Sequence, residues 1–134
     1  MLKEKAFIGR VFYSYGDLQY IYGVSKKLPI ICSTCVNFIT EYRVYIIQGI
    51  IISIQQYDGD ISVPIPYNDI YHAISLLEES CEKYSGYAID FGLLDTGQLA
   101  LVEMNDGYAI GAYGDISSVD YYHLIMARWE ELMI

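Results

Sequence analysis

Tyr87-Ala88-Ile89-Asp90-Phe91-Gly92-Leu93-Leu94 and Leu99-Ala100-Leu101-Val102-Glu103-Met104, joined across Asp95-Thr96-Gly97-Gln98, read as the two strands of an antiparallel hairpin. Apolar residues fill the runs and the connection carries turn chemistry. With Thr96-Gly97 as a two-residue loop, Leu94 stands opposite Leu99 and Asp90 opposite Glu103. Side chains alternate along a strand, so both carboxylates share one face and Asn105 lies two positions beyond Glu103 on that face. Val102 and Met104 then point away, and Ile89, Phe91 and Leu93 stiffen the opposite face. Two acids and an amide offer hard oxygens, which suit Mg²⁺ rather than Zn²⁺. Mg²⁺ keeps waters and shares substrate phosphates, so the set points to a nucleotide. The plain alternative is a wet hairpin face whose polar residues simply meet solvent.

Working outward, residues 30–38 and 41–47 read as strands, with Gln48-Gly49 as a tight turn into Ile50-Ile51-Ile52-Ser53-Ile54. Asp58-Gly59-Asp60 ends that hairpin. Asn68 or Asp69 can cap a helix whose apolar stripe is Ile70, Ala73, Ile74, Leu77 and Cys81 or Tyr84, with Gly86 as its stop. Ser117 or Ser118 caps a last helix with Val119, Tyr122, Ile125, Met126, Trp129 and Leu132 or Met133 at helical spacing. A short helix is expected near Asp17 to Tyr22, and Tyr122 and Trp129 are expected in the core. The order predicts an α+β fold, an antiparallel sheet with packed helices.

A chain of 134 residues and 15.3 kDa is one domain by length, 1–134, and can bury a core without disulfides or structural metal. A net charge of −9 argues against general nucleic-acid or anionic-membrane binding. Residues 1–27 nevertheless carry +3 and the remainder −12, so one end could face an anion. The uncharged stretch Val44 to Tyr57 is too short and too polar for a membrane span, and no secretory signal is expected, because Lys3, Glu4 and Lys5 lead into no long apolar run. The cytoplasm is the expected compartment.

Cys32, Cys35 and Cys81 are expected to be buried free thiols, since no second Cys or His pair completes a zinc tetrahedron around Cys32-Ser33-Thr34-Cys35. His72 and His123 complete no catalytic triad and are expected to be structural or surface residues.

The stretch from Ala88 to Tyr108, with Asp90 on one strand and Glu103-Met104-Asn105 on the next, closely resembles the metal-binding hairpin of ATP-grasp enzymes. Lys5-Ala6-Phe7-Ile8-Gly9, Glu41-Tyr42-Arg43, Val102 to Gly107 and Ala127-Arg128-Trp129 look like landmarks of the ATP-grasp clade labelled for two arginines and a lysine. Glu103 to Tyr113 is the most specific piece. The resemblance implies the carboxy-terminal ATP-grasp subdomain, without the amino-terminal lobe of the two-lobed clamp. It implies Asp90, Glu103 and Asn105 as ligands of Mg²⁺, Arg43 as the catalytic contact to phosphate or acyl phosphate, and Lys5, beside the Gly9 turn, at the phosphates of ATP. A guanidinium suits that role because it binds planar oxyanions in a bidentate manner. An ion pair with Glu41 is the ordinary alternative for Arg43, and a solvated terminus that for Lys5. The implied activity joins a carboxylate to an amine through an acyl phosphate, with a separate amino-terminal lobe, a partner chain or a second copy completing the site. The rival expectation is a non-catalytic nucleotide-binding or protein-interaction module.

Overall fold

Val44, Ile46, Tyr87, Ile89 and Phe91 lie beneath Ile70 and Ile74 in one apolar layer, while Tyr45 and Ala88, one residue along the same strands, lie beneath Leu124 in another. The period-two alternation of two central strands thus supplies both layers of the core. The computed structural model describes residues 9–23, 25, 27–80 and 84–134, so Lys5 and Cys81 lie outside the described residues. The chain divides into two compact units, Met1–Val36 and Asn37–Ile134. The first holds a 3₁₀ turn over Tyr15–Tyr20, started by the Asp17 carboxylate, which accepts the backbone N–H groups of Tyr13 (2.8 Å) and Ser14 (3.0 Å).

In the second unit, β1 (Phe38–Ile47) and β2 (Ile50–Gly59) form the first hairpin. Helix α1 (Tyr67–Glu78) follows, then β3 (Gly86–Leu94), β4 (Leu99–Asp106), a 3₁₀ turn (Gly107–Ala109) and α2 (Ser118–Leu132). The sheet is antiparallel in the order β2-β1-β3-β4, which places the second hairpin beside the first through β1 and β3. The α+β architecture is the one expected. Among the described residues no helix is long and apolar enough to cross a membrane.

Several local readings are corrected. Residues 30–37 form no strand: β1 is one continuous strand from Phe38. Ile31 is fully exposed and Val36 exposed, and strand-forming side chains without a partner surface have nothing to pack on. Cys32 and Cys35 in this stretch are therefore exposed free thiols, not buried ones. Helix α1 has Pro66 at its N-cap with no side-chain cap, so neither Asn68 nor Asp69 caps it, and Gly86 opens β3 instead of stopping the helix. His72 and His123 are surface residues of α1 and α2.

Helix α2 begins as expected, with Ser117 Oγ accepting the Asp120 N–H at 3.0 Å. Its buried face differs from the predicted stripe. Leu124 and Arg128 are buried, Tyr121 and Ile125 are partly buried beside Leu124, and Val119, Tyr122, Trp129, Leu132 and Met133 are exposed. The cause is Arg128, whose guanidinium forks onto Asp106 (Nε–Oδ1 2.7 Å, Nη2–Oδ2 2.8 Å) and also meets Glu131 (2.9 Å). A paired arginine can face inward, so the helix rotates to let it. Gly86 permits the close approach: a Cβ there would lie 2.3 Å from the Leu124 carbonyl oxygen.

Replacing Gly86 by Val should push α2 off the sheet and cost about 2 kcal/mol or more, read as a lower urea midpoint; an unchanged midpoint would contradict this packing. Glu131 gives a pH-dependent counterpart. The Ser85 N–H (2.8 Å) and then Arg128 hold its carboxyl below the ordinary glutamate value of 4.5. A depressed folded value stabilises above that range and is lost as pH falls through it. Glu131→Gln should therefore lower the midpoint at pH 7, with the difference shrinking as the pH falls below the ordinary glutamate value; a pH-independent difference would contradict it.

Candidate functional site

Three neighbouring strands place three charged residues in a row: Arg43 of β1 is paired with Asp90 of β3, and Asp90 with Glu103 of β4. All lie on the face that carries Tyr45 and Ala88. The Asp90–Glu103 pairing is the one expected, but the connection differs. The Leu94 N–H donates to the Gln98 carbonyl (2.9 Å) and the Gly97 N–H to Leu94 (2.9 Å), with Gly97 at φ +82°. This is a three-residue loop with glycine in the left-handed position, so Leu93, not Leu94, opposes Leu99. A bulge at Val102 then shifts the register back by one, and Leu99 and Met104 both reach the α1 side of the sheet.

Arg43 and Asp90 form a bidentate fork, Nε to Oδ1 at 2.7 Å and Nη2 to Oδ2 at 2.6 Å. They are only 7% and 2% exposed, so neither charge could persist there without the other. The Asp90 hydrogen bonds push the guanidinium further above its ordinary range, against the opposing effect of burial. Arg43 does not pair with Glu41. That carboxylate instead accepts the Tyr57 hydroxyl at 2.6 Å, and burial followed by this acceptor pushes the Tyr57 phenol well above its ordinary value.

Glu103 differs in environment. Its side chain is 43% exposed, with Oε1 3.8 Å from Arg43 Nη2 and accepting Asn105 Nδ2 at 3.2 Å. Asp90, Glu103 and Asn105 therefore do come together with Arg43. Among the described residues no cluster of three or more His, Cys, Asp or Glu could hold a metal ion. A Mg²⁺ that shares phosphate oxygens needs only one or two carboxylates, and the donor set fits that role. Glu103 Oε2 and Asn105 Oδ1 take no hydrogen bond from the described residues and are hard oxygens at a wet edge.

A wall beside this row escaped the sequence reading. Tyr113 stacks on Tyr57 with ring centroids 5.1 Å apart and planes 20° from parallel, and its centroid lies 4.5 Å from Arg43 Cζ. Tyr57 reaches the site because β2 bulges between the partners of Glu41 and Tyr42, an irregularity without a sequence signal here. Tyr113 closes the stretch singled out as most specific, which was the available hint.

Removing Asp90 leaves a buried guanidinium unpaired, so Asp90→Ala should cost about 3–5 kcal/mol. The double variant Arg43→Met/Asp90→Leu should recover most of that loss in urea unfolding. A double variant no more stable than the single would contradict the fork as the source of the effect.

The model of an ATP-grasp domain family, the second family of the clade labelled for two arginines and a lysine, matches residues 1–124. No curated protein and no solved structure matches the chain significantly. The family match spans the first hairpin, the row of Arg43, Asp90 and Glu103, and the start of α2. The chain belongs to that second family of the two-arginine-and-lysine clade of ATP-grasp domains.

Proposed function

We propose that this ATP-grasp domain works as an ATP- and Mg²⁺-dependent carboxylate–amine ligase module, with the row of Arg43, Asp90 and Glu103 as its phosphate-facing centre. The observation that supports this most directly is the sorting of charges across the row: a buried, rigid cation beside a half-exposed carboxylate and amide. Glu103 and Asn105 offer free oxygens to Mg²⁺ at the wet edge, and Asp90 completes the set from beneath while holding Arg43. Arg43 commits Nε and Nη2 to Asp90 and also meets the Tyr45 hydroxyl. The N–H groups left over are the donors for a phosphate oxygen. Lys5, outside the described residues, is assigned to the nucleotide phosphates.

Bound Mg·ATP would supply the phosphoryl group that activates a carboxylate for attack by an amine. The chain contributes positioning and charge, which dominate phosphoryl transfer. A guanidinium already fixed by a fork needs no reorganisation when negative charge develops beside it. The exposure of Glu103 supports one further element: a partner chain or second copy covers the site and excludes water. Were nothing to cover it, a nucleotide-binding module without turnover would be the reading favoured by the same exposure.

Glu103→Gln should weaken Mg²⁺-dependent ATP binding about tenfold, as expected when one carboxylate ligand loses its charge. Thermal unfolding should be unchanged, because the side chain is half-exposed. Calorimetric titration with and without Mg²⁺ checks this; equal affinities for variant and wild type would contradict the assignment.

A further inference from the structure

We infer that Tyr113 is a positioning residue for Arg43, carried to it by a strap over residues 110–116 that the sheet holds independently of the tyrosine ring. The inference rests on the reading of Arg43 as the phosphate donor. The Asp90 fork restrains the guanidinium within its own plane, since both bonds run along its edge. It does not restrain tilting out of that plane. The Tyr113 ring supplies a second restraint, its centroid 4.5 Å from Cζ, a distance at which the ring quadrupole attracts the cation. Tyr57 stacks on the Tyr113 ring at 5.1 Å with its own centroid 5.9 Å from Arg43 Cζ, and Glu41 anchors the Tyr57 hydroxyl at 2.6 Å.

The strap is pinned through its backbone. The Tyr45 hydroxyl donates to the Gly111 carbonyl at 3.0 Å and accepts the Tyr113 N–H at 2.8 Å. Gln55 Oε1 accepts the Asp115 N–H at 3.0 Å, and the neighbouring Gly114, at φ +59°, comes so close that a Cβ would lie 2.3 Å from that oxygen. None of these bonds uses the Tyr113 ring, and the Tyr113 hydroxyl makes no hydrogen bond among the described residues. The ring can therefore be exchanged while the strap stays in place, and the aromatic face, not the hydroxyl, is what acts on Arg43.

Calorimetric titration of the full chain with two probes, Mg·ATP and Mg²⁺ with inorganic tripolyphosphate, tests this in Tyr113→Phe, Tyr113→Leu, Arg43→Lys and the Arg43→Lys/Tyr113→Leu double variant. Tyr113→Phe should bind like wild type, while Tyr113→Leu should bind both probes about tenfold more weakly, within the range of a cation–π contact. On the Arg43→Lys background, where no guanidinium plane remains to be held, Tyr113→Leu should cause no further loss. Tyr113→Met serves in place of Leu if circular dichroism shows that Leu disturbs the fold. Unchanged binding by Tyr113→Leu, a loss confined to Mg·ATP, or an equal loss on the Arg43→Lys background would each overturn the inference and leave the phosphate reading standing. Failure of the wild-type chain to bind either probe would remove the phosphate reading, and this inference with it.

Discussion

A guanidinium and a carboxylate withdrawn from water on the inner strands of a four-stranded sheet can stay charged only as a pair, and much of the site follows from that requirement. Arg43 and Asp90 face each other across β1 and β3, so the fork ties together the two hairpins at their junction. Its worth to stability is not the strength of the attraction alone. Desolvation offsets much of that, and the larger effect is the penalty for any arrangement that separates the partners. The pair thus acts as a register lock, since a slip of either strand by one residue would turn its charge into the apolar layer beneath α1.

The two faces of the sheet divide the labour. Beneath α1 the layer of Val44, Ile46, Tyr87, Ile89 and Phe91 is apolar and close-packed, which is what makes the strands rigid. On the other face the polar row occupies part of the surface, and α2 covers the rest through Leu124, Tyr121 and Ile125. A second fork, Arg128 to Asp106, seats α2 at the end of β4. Asp106 directly follows Asn105, so seating the helix also steadies the strand end that carries the candidate ligand. Chemistry on the open part of the face and packing on the covered part therefore depend on the same strands.

Alternation in the second hairpin made the Asp90–Glu103 row legible in the sequence, together with its separation from Met104. The agreement came through two irregularities that cancel. Gly97 adds a residue to the loop and shifts the register by one, and the bulge at Val102 shifts it back. Neither a bulge nor a loop length is encoded by apolar periodicity, which is why Leu94 opposite Leu99 failed while Asp90 opposite Glu103 held. The buried face of α2 was misread because hydropathy treats arginine as a solvent residue, and only its carboxylate partners, Asp106 and Glu131, turn Arg128 inward. The stretch before Phe38 was misread for the converse reason: Ile31 and Val36 have strand propensity but no partner surface. Tyr57 and Tyr113 were not seen at all, because their meeting over Arg43 depends on a bulge in β2 and a strap between elements distant in sequence.

On this account a divalent cation and phosphate meet at the wet edge of Glu103 and Asn105, supported from beneath by the Arg43–Asp90 fork. Paramagnetic Mn²⁺ in place of Mg²⁺, titrated with ATP into isotope-labelled protein, tests it most directly by magnetic resonance. The account predicts saturable broadening centred on Asp90, Glu103, Asn105 and Arg43, with the α1 face spared. Broadening centred elsewhere in Asn37–Ile134, or none that depends on ATP, would contradict it.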